Sequence, residues 1–425
     1  MAKSRKSKQA KKVVKALSKL NPIVLVIVIV LVLSIAFGTY MYQTNDEFRG
    51  FVDVNIFGQA PEDDGGDGGT TDGGTTDGGS TGGGTTDGEI SDALYISLID
   101  VGNKYNGDCV YIRIGTTDIL VDSAGKYDKV TSNDNIENYL NSQMQDELLD
   151  YVIVTHADAD HIGGFAGDAS ASGASSLFQR FKCGTIIDFP KSNSTTDTYD
   201  RYKANRDAEV RDDGAVHYTA LECYNNLNGA SRTYDLGSGA TLEILYNYYY
   251  EHNSHDENNY SVCFRILHGD RQFLFTGDLE LDGEEKFSTY YSNLGQVDFF
   301  KAGHHGSATS TNSVLLQVIK PKIVGICCVA GRNEFGSDPE NIFPTESTIH
   351  RIAQYTTQVY VTACYVDDAY APLNGTIMVI SETSGVRVDC SVSDEILAKS
   401  DWFKDTVTDP TTSKTCPDEW LEYLS

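Results

Sequence analysis

Residues 61–89 read PEDDGGDGGTTDGGTTDGGSTGGGTTDGE, which places twelve of the chain's 39 glycines in one stretch with almost nothing a core could bury. A segment of this composition cannot offset the entropy of ordering, so anything globular must lie after Ile90. Its repeated Asp does not match the spacing of an EF-hand calcium loop. As a Gly-rich coil it spans about 30 Å root-mean-square, enough to hold a domain away from its other attachment point.

That attachment is written before the spacer. Lys3, Arg5, Lys6, Lys8, Lys11, Lys12, Lys15 and Lys19 crowd the first residues, and no charged side chain follows until Asp46. The apolar run Ile23–Tyr42, as a helix of about 30 Å, matches a bilayer's hydrocarbon thickness. The basic cluster sets the amino terminus inside and the rest of the chain outside. Ala36 and Gly38 offer a weak signal-cleavage site, but the length of the run favours an anchor. The expected layout is a basic cytoplasmic segment (1–21), a transmembrane signal anchor (22–44), a juxtamembrane segment (45–60), a disordered linker (61–89), a folded domain (90–392) and a tail (393–425). The chain is thus expected to be a single-pass cell-membrane protein with its folded domain extracellular.

Charge limits the partners. Of 33 Lys and Arg, eight precede Asp46, leaving 25 against all 61 Asp and Glu, a formal charge of −36. A surface that grips long duplex nucleic acid needs the opposite field. Nine cysteines are too few and odd in number for a disulfide-framed fold. Cys109, Cys263, Cys327, Cys328 and Cys364 fall inside strand patterns, where free cysteine packs as a small hydrophobe.

From Leu94 onward, short apolar runs alternate with turns. LYISLID (94–100), CVYIRIG (109–115), DILVD (118–122) and YVIVT (151–155) predict strands, with a helix near 135–149. The second half repeats the habit in TLEILYN (241–247), YSVCFRIL (260–267), RQFLFTGD (271–278), VDFFKAG (297–303), KIVGICCVA (322–330), QVYVTAC (358–364), TIMVIS (376–381) and VRVDC (386–390), with helices near 313–319 and 345–353. Two β-rich halves with flanking helices imply one layered α/β unit. Polar, Tyr-rich residues 188–239 read as an insertion or lid whose Arg201, Lys203, Arg206 and Arg211 form an ordinary solvated face. The tail after Ser391 reads as a weakly packed helix or disorder.

Chemistry concentrates in THADADHIGG (155–164), directly after a strand: His156, Asp158, Asp160 and His161 lie within six residues. Two imidazoles and two carboxylates make a ligand set suited to Zn, Mn or Fe, and the following glycine pair is expected to let the turn bend sharply. FLFTGDLE (273–280) delivers Asp278 past a second strand, and FFKAGHHGS (299–307) delivers His304 and His305 past a third. Convergent strand ends are how layered α/β enzymes build sites.

Six motifs in order, SLIDVG (97–102), ILVDSAG (119–125), THADADHIGG, ENNYSVCFRI (257–266), FLFTGDLE and KAGHHGSATS (301–310), resemble the metallo-β-lactamase superfamily, and within it the exported hydrolase domain of the bacterial DNA-uptake (competence) channel protein and its stand-alone relatives. The resemblance covers about 290 residues. It implies an αββα sandwich with two divalent transition metals, Zn or Mn, in the cleft between the sheets. His156 and Asp158 would serve the first metal, Asp160 and His161 the second, and Asp278 would bridge them. One of His304 and His305 would complete the second site while its neighbour touches substrate phosphate or donates a proton. Asp160 would orient the attacking water.

The chain departs from the pattern in three places. Asp158 stands where much of the superfamily has a second histidine. The extra histidine between the first motif and TGD has no evident counterpart, with Asn258, Asn259 or Asp188 as substitutes. DVGNKYNGDC (100–109) spreads out what the subgroup has as a compact DVGQGD. The resemblance implies a membrane-anchored phosphodiesterase or nuclease acting on a phosphodiester, such as single-stranded DNA or a nucleotide. The alternatives are a cell-wall phosphorylcholine esterase-like hydrolase and a non-catalytic surface binding module.

Overall fold

A computed structural model describes residues 92–424 apart from 171, 172, 337, 339, 340, 411 and 413. The expected cytoplasmic, membrane-spanning, juxtamembrane and linker segments therefore lie outside the described residues. Among the residues described, no helix is long and apolar enough to cross a membrane.

The first half builds β1 (Leu94–Leu98), β2 (Val110–Ile114), β3 (Thr117–Val121), β4 (Leu148–Ile153), β5 (Lys182–Asp188) and β6 (Val216–Thr219). The second half builds β7 (Thr233–Gly237), β8 (Ala240–Leu245), β9 (Cys263–His268), β10 (Arg271–Phe275), β11 (Phe299–Lys301), β12 (Ile323–Ala330), β13 (Val359–Val366) and β14 (Ala369–Pro372), before β15 (Ile377–Glu382) and β16 (Gly385–Cys390) return to the first. Two eight-stranded sheets result, in the orders β16-β15-β1-β2-β3-β4-β5-β6 and β14-β13-β12-β11-β10-β9-β8-β7.

The sheets pack face to face because their strands carry apolar side chains on that face. Leu94, Ile96 and Leu98 of β1 are buried, and a Cβ on Gly325 of β12 would lie 2.6 Å from Leu98 Cδ2. The polar contact between His268 Nδ1 of β9 and Ser381 Oγ of β15, 3.0 Å, joins one sheet to the other. Helices cover the outer faces. α1 (Lys129–Gln143) lays Tyr139 over β1, its hydroxyl 2.8 Å from Ser97 Oγ, and α2 (Ala159–Ala166) and α3 (Asp197–Ala208) follow it. α4 (Ala220–Tyr224) is a single turn, and α5 (Leu281–Tyr290), α6 (Ser313–Ile319) and α7 (Glu346–Ala353) bury Phe287, Leu315, Ile319 and Ile352.

Four expectations change. The first helix starts at Lys129, capped by Asp128, rather than near Asn135. Residues 188–239 are no separate lid: β6 extends the first sheet parallel to β5 and β7 forms the edge of the second. KCGTIID (182–188) is a strand not expected from its sequence pattern. After Ser391 the chain is well packed, with α8 (Asp401–Thr408) placing Phe403 5.5 Å from the buried Trp420 ring.

Strand direction decides where the chemical groups gather. β3, β4 and β5 run parallel, as do β10, β11, β12 and β13. Their carboxyl ends are where open α/β sheets present ligand groups.

Candidate metal centre

β3 ends into Asp122 and β4 into Thr155 and His156. Asp122 accepts hydrogen bonds from the Thr155 amide (2.8 Å) and hydroxyl (2.7 Å), so one carboxylate pins the loop that carries the first motif. Helix α2 begins inside that motif and puts Asp160 and His161 in its first turn. The glycine pair acts differently from the expectation: Gly163 and Gly164 sit within α2 and allow close packing rather than a bend. A Cβ on Gly163 would lie 2.1 Å from Gly125 O, and one on Gly164 2.4 Å from Ser123 O.

From the second sheet, Gly277 adopts φ +55 and has Ser261 Oγ 2.7 Å from where a Cβ would be, so only glycine delivers Asp278 there. β11 ends at Lys301, and three residues on the chain turns through His304 (φ 47) and His305 (φ 53). Two consecutive non-glycine residues in the left-handed region cost roughly 1–3 kcal/mol each and mark functional sites. The turn separates the two imidazoles. His305 is fully buried, whereas the His304 side chain is 21% exposed, with Nδ1 3.1 Å from Thr309 Oγ1.

The buried groups converge. His161 Nε2 lies 3.1 Å from Asp278 Oδ2, and ligand atoms of His156, His161 and Asp278 all fall within 4.8 Å of one another. His305 Nδ1 is 2.9 Å from Cys327 O, which turns Nε2 toward Asp160 Oδ2 (3.7 Å) and Asp278 Oδ2 (3.6 Å). Burial opposes charge on all of these groups, yet the neighbours decide. Asp278 is held well below the usual carboxylate range by His161, His305 and Lys301. Asp160 is lowered by His305 and Lys126. His305 is pushed up to about 10 by Asp108 and Asp278, and His161 well above its ordinary value by Asp278 and Asp122. His156 goes the other way, to about 3, through burial and the His161 charge.

These residues fit a divalent cation. His156 Nε2 and His305 Nε2 are buried without a hydrogen-bond partner, a costly state for a polar atom. Each faces carboxylate oxygens at 3.6 to 3.8 Å: too far for a hydrogen bond, but about the separation of two ligands sharing one ion at about 2 Å from each.

Residues 102–177 match the family described as the Metallo-beta-lactamase superfamily. The chain carries a metallo-β-lactamase-like domain. It is similar to Recombination protein 2 of Haemophilus influenzae, 25% identical over 221 residues, which is 52% of this chain and 22% of that protein. ComE operon protein 3 of Bacillus subtilis is 36% identical over 77 residues, 18% of this chain and 10% of that protein. The chain thus spans about a fifth or less of the length of these curated relatives. Among solved structures, the metallo-β-lactamase-fold protein YhfI of Bacillus subtilis aligns with TM-score 0.39 at 11% identity, covering 64% of this chain and 96% of that one. CmlA, a diiron β-hydroxylase of Streptomyces venezuelae, aligns with TM-score 0.37 at 14% identity, covering 64% and 52%.

In this metallo-β-lactamase-like centre, His156, Asp160, His161, Asp278 and His305 of the expected residues come together. Asp158 sits at the rim, its side chain 47% exposed and 3.8 Å from His156 Nε2. His304 stands beside Glu280 (3.4 Å) and meets Asp278 through its backbone amide, 3.1 Å from Oδ1. Asp188 is tied up elsewhere, by the Tyr202 hydroxyl (2.9 Å), Arg206 (2.7 Å) and His217 (2.8 Å). Arg206 is thereby a buried carboxylate's partner rather than part of a solvated face. Asn259 accepts from the Glu280 amide. Asn258 gives its amide group to Glu280 and keeps a buried Oδ1 without a partner.

Four participants are not singled out by the sequence, although each sits inside one of the six motifs or just after one. Asp122 backs His161 at 2.7 Å. Asp108, at the end of the spread-out opening motif, is buried with Oδ1 3.1 Å from His305 Nδ1. Lys301 contacts Asp108, and Lys126 reaches Asp160 Oδ2 at 3.2 Å. The insertion in DVGNKYNGDC is absorbed by Asn106, which accepts from Val329 N (2.8 Å) and donates to Glu334 (3.1 Å). Asp108 therefore still reaches the centre.

Proposed function

We propose that this chain is a metal-dependent hydrolase of phosphodiesters, held at the outer face of the cell membrane by its amino-terminal apolar run. One observation carries the reading: buried His156, His161 and Asp278 place ligand atoms within 4.8 Å of one another, with His305 Nε2 turned toward the same Asp278. His156, Asp158, Asp160, His161, Asp278 and His305 would hold two divalent transition ions, Zn or Mn. When bound, such ions supply Lewis acidity and a nucleophile at neutral pH. The chain's own residues do the rest. Asp160, steadied by Lys126, orients the attacking water by accepting its hydrogen bond. His304, partly exposed and braced on Thr309, faces substrate and donates a proton to the leaving group. The strongly acidic surface favours a short or single-stranded nucleic acid or a nucleotide over long duplex DNA.

A second reading has its own support. A cavity of about 440 Å³ beside His304 is lined by Tyr249, Asp256, Glu280 and Asp282, a carboxylate and aromatic lining that suits a cationic group such as a choline. The test is to offer the full-length chain, in Zn or Mn, single-stranded DNA, bis-(p-nitrophenyl) phosphate and phosphorylcholine esters. Cleavage of the first two that disappears in Asp278→Ala supports the phosphodiesterase, and cleavage of choline esters alone supports the second reading. A chain that holds less than one tightly bound ion and cleaves nothing is a surface binding module.

A further inference from the structure

Two groups of side chains among the described residues have ligand atoms close enough to share an ion. One is His156, His161 and Asp278, and the other is Asp108, Asp122 and His161. They lie on opposite edges of the same imidazole, since Nε2 of His161 faces Asp278 while Nδ1 faces Asp122 (2.7 Å) and Asp108 (3.9 Å). The second group already has a cation. Lys301, 3% exposed, reaches from the end of β11 across the cleft to contact Asp108 Oδ2, which belongs to the loop before β2 in the other sheet. The same ammonium lies 3.7 Å from Asp278 Oδ1.

We propose that Lys301 is a resident cation of the metal centre, a positioning residue that fills the Asp108 side and holds the carboxylates together when the exchangeable ions leave. The inference rests on the metal-centre reading above. Four carboxylates, Asp108, Asp122, Asp160 and Asp278, are buried around one site, and an uncompensated buried charge is strongly destabilising. Exchangeable ions can balance these charges only while they are bound. An ammonium fixed to the chain balances one of them permanently, and because it joins a loop of one sheet to a strand of the other it keeps the cleft assembled in the interval. Its position also restricts the exchangeable ions to the Nε2 side of His161, where His156 and His305 offer unpartnered nitrogens.

The experiment is a thermal melt of the full-length chain, once loaded with zinc and once after chelation, for wild type, Lys301→Met and the charge-free pair Asp108→Asn/Lys301→Met. In the wild type, chelation lowers the melting temperature modestly. In Lys301→Met the drop on chelation exceeds that of the wild type by roughly 5 °C or more, since the apo form then lacks the fixed ammonium between Asp108 and Asp278. The double variant returns toward the wild-type drop. A purely structural lysine would lower both melts of Lys301→Met equally, and that result overturns the proposal while leaving the metal centre intact. If Lys301→Met is insoluble, Asp108→Asn takes its place: with the lysine free to serve Asp278, its drop is smaller than the wild type's, and an equal or larger drop overturns the proposal. A wild type that holds no zinc and melts identically in both conditions sinks the metal-centre reading itself.

Discussion

His161 Nδ1 stands 2.7 Å from Asp122 Oδ2, on the edge of the ring opposite the one that faces Asp278. A carboxylate behind a ligating imidazole fixes which nitrogen carries the proton and raises the basicity of the other. Asp122 does this while also holding Thr155 by two hydrogen bonds, so a single side chain sets both the ring's orientation and the loop that carries it. Asp122→Asn is expected to weaken metal binding by about 10- to 100-fold with the fold retained. Isothermal titration with zinc checks this, and unchanged affinity would remove Asp122 from the site.

The two adjacent histidines should separate cleanly. His305 is buried with Nε2 near Asp160 and Asp278, so His305→Ala should lose one bound ion per chain by elemental analysis. His304 lies at the rim. His304→Ala should keep the wild-type metal content and lose roughly 10²- to 10⁴-fold in turnover, the range for a lost general acid. The reverse pattern would exchange their roles.

Glu284 links the centre to pH. Fully buried on α5, it accepts from the amides of Thr311 (2.6 Å) and Asn312 (2.8 Å) and so fastens the loop that follows His305. Burial outweighs those hydrogen bonds and raises its pKa to about 7. A carboxyl with a folded pKa above its unfolded value binds protons preferentially in the native state. Its contribution to stability is therefore greatest below about 4.5 and falls away as pH rises through 7. The melting-temperature difference between wild type and Glu284→Gln should shrink across that window. A difference that is flat or grows with pH would show that the native carboxyl has no raised pKa.

Gly163 tests the close packing of α2. Its missing Cβ would meet backbone atoms of Gly125 at 2.1 and 2.4 Å, and backbone cannot rotate aside as a side chain would. Gly163→Ala should cost about 3 kcal/mol or more by overpacking and displace His161 with the helix. Chemical denaturation and zinc affinity should fall together. An alanine variant as stable as wild type would contradict the packing.

Most of the sandwich is legible in the sequence. Strands announce themselves through short apolar runs of five to eight residues, as in β1 and β12, and the helix expected near 313–319 is α6, Ser313–Ile319. KCGTIID escapes such a reading because its glycine and terminal acid dilute the pattern. Its strand character comes from lying between β4 and β6.

For the centre, the sequence alone determined the ligand chemistry: imidazoles and carboxylates delivered at strand ends, each motif contained in a few consecutive residues. What needed the tertiary structure was the choice among neighbours and the supporting cast. Positive φ at both His304 and His305 sends one ring inward and the other to the rim, and nothing in HHG distinguishes them. Asp108 and Lys301 meet across 193 positions of chain, and Asp122 meets His161 across 39. Contacts over such separations are set by how two sheets stack and where their parallel strands end. Local pattern can propose those residues, but only the packed cleft brings them together.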